Sequence, residues 1–140
     1  MQAGMQAILE ALGGKGESFT DGPESQYQAV TAAVSPAVTT VDLDLGRTIV
    51  LTCGAGNVAL NLTHGPAAGR LRDCRLHVIQ DAVGGRAIAP LSVDGVAATL
   101  HGPYGHVPTL HPTPNTRTGL YLLIRPGADI DVLPGGGQLA

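Results

Sequence analysis

Aromatic residues are scarce in this chain. Its 140 residues include no Trp, one Phe and three Tyr, although 44% are apolar. A core must therefore be built from Val, Leu, Ile and Ala, which suits thin β-sheets. The 20 Gly and 10 Pro form about a fifth of the chain, against roughly 12% in average usage. This excess favours many short strands joined by turns.

Basic residues are not in excess either. The formal net charge is −3, and all of it falls within residues 1–36, because Arg and Asp balance in the remainder. Binding to nucleic acid depends on neutralising phosphates, so the composition argues against a nucleic-acid partner. Lys15 is the sole lysine and no Glu follows Glu24. The polar surface beyond that point uses Arg, Asp and Thr, which favours strands over helices.

Long apolar runs are also missing. No stretch of about 18 apolar residues is present, as a membrane-spanning helix would need. Residues 1–5 lack the cationic and apolar pattern of a signal peptide. We therefore predict no membrane partner, and synthesis and retention in a cytoplasm. Cys53 and Cys74 lie in strand-like segments, and in that compartment we expect them to be buried and reduced.

The first 36 residues differ in character from the rest. Residues 3–12 favour a helix whose apolar stripe consists of Met5, Ile8, Leu9 and Leu12. An isolated helix under about 12 residues is marginal in water, so this one needs a surface to dock on. Residues 13–36 are rich in Gly, Ser, Thr, Gln and Ala, with Phe19 and Tyr27 as isolated aromatics. We interpret residues 1–36 as an arm and linker carrying one short helix.

Period-two alternation of apolar residues begins near residue 37. Strand patterns follow one another at 41–45, 49–53, 58–62, 71–80, 87–93, 96–100, 120–125 and 130–132. Seven to nine short strands at this spacing predict an all-β domain over residues 37–140, an antiparallel β-sandwich or jelly-roll-like barrel. Residues 71–90 are interpreted as a β-hairpin that turns at 81–86. No internal repeat is evident.

Three histidines recur at five-residue spacing in a Pro-rich segment, namely His101, His106 and His111. Imidazoles are common ligands of zinc and nickel. The spacing matches neither the i, i+4 pattern of a helix nor the i, i+2 pattern of a strand, so solvent-exposed loop histidines are the other interpretation. A three-fold assembly could still bring one histidine from each subunit to a shared axis.

No nucleophile stands in a catalytic pattern. Cys74 and His77 are three residues apart on one strand and should point to opposite faces. Ser92 has no Gly-x-Ser-x-Gly context. We therefore predict that the chain is not an enzyme, with a small β-fold hydrolase as the weakest alternative.

Two pairs of carboxylates lie at alternate strand positions, Asp42 with Asp44 and Asp129 with Asp131. Each pair should share one strand face, about 7 Å apart. Such pairs can hydrolyse glycosides or bind calcium, but no EF-hand-type loop accompanies them. We interpret both as solvated strand faces, and we predict no cofactor and no metal.

Arginines offer a different kind of contact. Arg70, Arg72 and Arg86 are predicted to share a face, where guanidinium groups could form bidentate pairs with carboxylates of a partner or sister subunit. The alternative is that they keep a sheet edge soluble.

The order of these segments resembles a known module. The strand Leu76–Asp81 ends in Gln-Asp, and Gly84-Gly85-Arg86 and a short strand closed by Pro90 follow. With the strand patterns at 41–62 and the Ala68-Gly69 loop, this is similar to a β-sandwich module of tailed-phage structural proteins, found in tail-fibre tips, baseplate parts and head-decoration proteins. The likeness covers roughly residues 41–125. The aromatic residue that commonly follows the Arg-containing strand is missing, as is the usual closing strand with Gly and Tyr.

The resemblance implies a non-enzymatic, homotrimeric part of a virion, made in the bacterial host cytoplasm. A freestanding chain with a short arm favours a capsid decoration (cement) protein that binds the major capsid protein and stabilises the head. The alternative is a tail-fibre or baseplate component whose loop at 101–114 binds a host receptor. Candidate partner-binding residues are Met5, Ile8, Leu9, Leu12, Phe19, Tyr27, Arg70, Arg72, Arg86 and Tyr104.

Overall fold

The computed structural model describes residues 27–135. This part of the chain is mostly β, and it forms two sheets around one apolar core. Its helical content is two 3₁₀ segments, Leu43–Leu45 and Pro103–Gly105. No helix within it is long and apolar enough to cross a membrane. The predicted arm helix, with Met5, Ile8, Leu9 and Leu12, lies outside the described residues, and so does Phe19 of the predicted linker.

Ten strands follow in chain order. They are β1 (Tyr27–Thr31), β2 (Val38–Asp42), β3 (Thr48–Thr52), β4 (Val58–Thr63), β5 (Arg72–Ile79), β6 (Ile88–Val93), β7 (Val96–Ala97), β8 (Thr99–His101), β9 (Arg117–Arg125) and β10 (Asp129–Pro134). The six-stranded sheet has the order β1-β3-β5-β9-β10-β8, and the four-stranded sheet has the order β2-β4-β6-β7. The predicted linker thus includes a strand, because Tyr27–Thr31 belongs to a sheet.

The first six strands wind between the sheets. From β3 to β6, each strand pairs in parallel with the strand two places earlier in the chain. Strands β1, β3 and β5 therefore lie side by side in one sheet, and β2, β4 and β6 lie side by side in the other. We call each successive pair, beginning with β1 and β2, a rung. The β10–β8 ladder is also parallel, whereas the β5–β9, β9–β10 and β6–β7 ladders are antiparallel.

The prediction of a purely antiparallel arrangement is therefore wrong for the rungs. Alternation of apolar residues follows from the pleat of a single strand and is the same in both kinds of ladder. The short connections that suggested hairpins instead carry the chain across to the opposite sheet. The rungs also differ in length: Tyr27 pairs with Thr48, and Thr48 pairs with Arg75. Unequal rungs explain why no repeat was visible in the sequence.

Apolar side chains stack in register between rungs. Val30, Leu51 and Val78 follow one another across the six-stranded sheet, and the last two are fully buried. Val41, Leu62 and Val93 form the matching row in the opposite sheet and are also buried. Burial of such side chains stabilises the fold by about 1.5–3 kcal/mol each.

Both cysteines contribute to this core as free thiols. Cys53 and Cys74 are buried, as predicted. Burial raises the pKa of the Cys74 thiol to about 12. Because the thiolate is the reactive form of cysteine, this residue acts as a small apolar side chain.

Candidate functional site

The motif that carries the family resemblance forms the connection between β5 and β6. The hairpin predicted for residues 71–90 is wrong, because these strands lie in different sheets. We call residues 80–86 the corner. Gln80 is 2% exposed. Its amide nitrogen donates to the carbonyls of Arg86 and His111, and its amide oxygen accepts from the Arg86 backbone N–H. The glutamine thus holds the corner against residues 101–114, which we call the Pro-rich loop.

Asp81 organises the same corner. One of its carboxylate oxygens accepts from the backbone N–H groups of Val83 and Gly84, and both oxygens accept from the Arg86 guanidinium. These hydrogen bonds, with the Arg86 bond as the largest cause, lower the pKa of Asp81 to about 2. The backbone at Gly84 has φ +81°, and an added Cβ there would lie 2.4 Å from the Pro112 carbonyl oxygen. The corner motif therefore performs a structural task inside the chain.

The three candidate arginines do not share a face. Arg72 begins β5, whereas Arg86 follows the other end of that strand. The Arg72 guanidinium donates to Asp44 and to the carbonyls of Leu43 and His64, and Arg86 is paired with Asp81. Arg70, in the connection before β5, is exposed.

The loop histidines have separate surroundings. His101 lies 2.7 Å from Asp129 on the neighbouring strand β10. The ring of His111 accepts from the Thr113 backbone N–H at 3.3 Å. His106 is exposed. Across residues 27–135, the group of metal-type ligands that converges is a different one, namely Asp42, Asp44 and His64.

This second group joins the end of β2 to the end of β4. His64 Nδ1 lies 2.6 Å from Asp42 Oδ1 and 3.6 Å from Asp44 Oδ2. The hydrogen bond to Asp42 raises the pKa of His64. The pKa of Asp42 is lowered, chiefly by the backbone N–H of Asp44. The guanidinium of Arg72 already holds Asp44 at 2.7 Å, so the cluster is an ion-pair network that includes its own cation.

The other two carboxylates are also paired. Asp131 pairs with Arg125 across the β9–β10 ladder, and Asp129 lies between Arg125 and His101. The predicted solvated faces are thus partly exposed ion-pair networks. The partners were not visible in the sequence because they come from neighbouring strands.

Two candidate aromatics are well placed for contact with another molecule. Tyr104 is fully exposed, in the left-handed region with φ 54°, within the Pro-rich loop. Tyr27 is also exposed, on the edge strand β1.

A depression on the outer face of the six-stranded sheet was not predicted. It has a volume of about 400 Å³, and its lining includes Arg75, His77 and Tyr121. Cys74 points into the core from the same strand, so the prediction that Cys74 and His77 face opposite ways is confirmed. The sequence signal for this half-polar face was the placement of Arg75 and His77 at alternate positions of β5. The rest of the lining comes from β9, β10 and Gly135, which sequence spacing could not bring near.

A second, apolar cavity of about 230 Å³ lies at the edge of the core. It is lined by residues from β5, β6, β9 and the Pro-rich loop, including Leu76, Leu91, Val107 and Leu110. Comparisons with protein-family models, with curated proteins and with solved structures each find no match.

Proposed function

We propose that this chain is a non-enzymatic structural protein of a tailed-phage virion, a decoration protein that binds the head as a homotrimer and stabilises it. Its partner is the major capsid protein, and it is made in the cytoplasm of the bacterial host. The proposal draws on the resemblance of the corner and its flanking strands to phage structural modules. The side chains of Gln80, Asp81 and Arg86 all form hydrogen bonds within the corner, which gives this motif a structural reason to recur.

The observation that carries the proposal is the open first rung. Within residues 27–135, β1 and β2 each have one neighbouring strand and lie at the same end of the molecule. Edge strands present free backbone N–H and C=O groups that can pair with another chain. Tyr27, Val34 and Val38 expose apolar surface at this end. A surface of this kind suits contact with a sister subunit or a shell.

A matched pair of variants tests the self-association. Val38 on β2 is 58% exposed and Val96 on β7 is 53% exposed, at opposite edges of one sheet. We expect light scattering to give three times the 14.2 kDa chain mass for the wild type and for Val96→Lys. Val38→Lys should give a smaller species. A monomeric wild type, or dissociation caused by Val96→Lys alone, would contradict the proposal.

Electron microscopy of phage particles separates the two virion locations. An antibody against this chain should label heads. Labelling of tail tips instead would favour the alternative, a receptor-binding tail-fibre or baseplate component. The fully exposed Tyr104 in the Pro-rich loop is the feature that suits that alternative, because exposed aromatics are frequent in binding surfaces. Absence of label from the particles would reject both.

A further inference from the structure

Two glycines lie at or beside the depression on the outer sheet face. The β5–β9 register places His77 opposite Gly119 and Arg75 opposite Tyr121. Gly135 donates its N–H to the Gly119 carbonyl at 2.8 Å, so the two glycines are neighbours. Gly119 therefore places no side chain beside His77, and Gly135 lines the depression. The depression's volume of about 400 Å³ lies within the usual range of small-molecule sites.

The charge around the depression is positive. The Arg75 side chain is exposed, and its guanidinium forms no hydrogen bond or ion pair with residues 27–135. Asp73 is the nearest carboxylate along β5, but it already accepts from Arg47 and from the Tyr121 hydroxyl. Arg117, at the start of β9, adds a second positive charge that acts on His77. An anion would therefore find the Arg75 guanidinium without a partner from the described residues.

His77 adds a hydrogen-bond donor. Its Nδ1 is buried and has no hydrogen-bond partner in the part of the chain that the structure describes. Burial is the main cause that lowers the pKa of this imidazole, with smaller effects of Arg117 and Arg75, and a lowered pKa favours the neutral ring. A proton on Nδ1 would leave a buried donor without an acceptor, which is costly. The proton therefore lies on Nε2, the other ring nitrogen.

We propose that this depression binds the carboxylate of an acidic sugar residue. Arg75 holds the carboxylate through charge-assisted hydrogen bonds, and His77 Nε2–H donates to the same group or to a ring hydroxyl. The apolar face of the sugar rests on Tyr121, Leu133 and Pro134, which line the depression. The site is independent of whether the chain resides on a phage head or a tail.

An acidic peptide fits this position less well. β5 and β9 are each paired on both sides, so their backbone groups are already used. Extended peptides are commonly recognised through backbone hydrogen bonds at a sheet edge. A sugar needs only the side-chain donors and the apolar wall that the depression supplies.

Nuclear magnetic resonance titration of the full-length chain tests the proposal. The probes are glucuronate, glucose as a neutral sugar with the same ring, and acetate as a carboxylate without a ring. We expect glucuronate to shift the amide signals of Gly119, Tyr121 and Gly135, and to bind at least about tenfold more tightly than either control. Equal affinity for all three probes, or no shift with glucuronate, would overturn the proposal.

Substitutions locate the site. Arg75→Gln should weaken glucuronate binding about tenfold or more, whereas Arg70→Gln, at an exposed arginine outside the depression, should leave it unchanged. His77→Phe keeps a ring but removes Nε2–H, and we expect a several-fold loss. Equal losses for the two arginine variants would refute the assignment. Tighter binding of a short Glu-containing peptide at the same amides would also overturn it, in favour of a protein ligand.

Discussion

Asp81 and Arg86, five residues apart, are joined by two hydrogen bonds, from Nε to Oδ1 at 3.2 Å and from Nη2 to Oδ2 at 2.9 Å. The pair closes the corner through which the chain leaves the six-stranded sheet for the four-stranded one. The Asp81 carbonyl also accepts from the Asn115 N–H. The corner therefore holds the start of β6 and the Pro-rich loop together.

The first prediction concerns acid stability. Hydrogen bonding to Arg86 lowers the pKa of Asp81 from about 3.8 to about 2. A depressed carboxyl pKa stabilises the fold above the unfolded value, and this contribution disappears as the pH falls through the folded value. Asp81→Asn should be less stable than the wild type above pH 4, and the difference should vanish between pH 4 and pH 2. Urea unfolding across this range measures it.

A double variant provides the control for that prediction. Once Asp81 is replaced by Asn, the further change Arg86→Gln should cost little, because the charged partner is already gone. Full additivity of the two substitutions would show that the pair is not coupled. If the wild type and Asp81→Asn lost the same amount of unfolding free energy below pH 4, the lowered pKa of Asp81 would be contradicted.

The second prediction separates two effects of replacing neighbouring glycines, namely strain in a left-handed backbone and collision of a new Cβ with the loop. Gly84 and Gly85 both have positive φ, +81° and +75°, but only at Gly84 would a Cβ meet the Pro112 carbonyl. Gly85→Ala should lower the free energy of unfolding by about 1–2 kcal/mol, because alanine is strained in the left-handed backbone. Gly84→Ala should lose more, since the loop must also move away. Equal unfolding free energies for the two variants would show that the loop does not pack on Gly84.

The third prediction uses two glutamines that each donate to two backbone carbonyls. Gln80 is buried, whereas Gln28, which donates to Asp42 and Gly46, is only partly buried. Glutamate has nearly the same shape, but its carboxylate cannot donate. Gln80→Glu should therefore cost about 2–4 kcal/mol at pH 7. Chemical denaturation should show a clearly smaller cost for Gln28→Glu, and the reverse order would contradict the assigned burial.

The fourth prediction concerns His64. Its pKa is raised by the hydrogen bond to Asp42, so its stabilising effect is complete below about pH 6.5 and is lost as the pH rises through the raised pKa. His64→Asn suits the test because Asn tolerates the left-handed backbone, φ 63°, found there. The stability gap between wild type and variant should narrow as the pH rises from 6.

The imidazole signal of His64 gives a direct check of the same pair. In the wild type it should titrate above pH 6.5, and Asp42→Asn should shift that titration downwards. An unchanged titration midpoint in Asp42→Asn would show that the 2.6 Å contact does not form in solution.

The sequence determined the individual strands of this protein. The alternation within the predicted strands 49–53 and 71–80 agrees with the structure, in which Ile49, Leu51, Cys53, Leu76 and Val78 are all buried. The prediction succeeded because the pleat is a local property that any partner strand preserves. The buried free thiols followed from the same alternation.

The tertiary structure decided how those strands associate. Parallel pairing, the membership of Tyr27–Thr31 in a sheet, and the contacts of His64 with Asp42 and of His101 with Asp129 join residues far apart in the chain. The depression beside Arg75 likewise combines residues of β5, β9 and β10. Alternation states which face of a strand is buried, but it holds no information about which strand lies alongside or in which direction it runs.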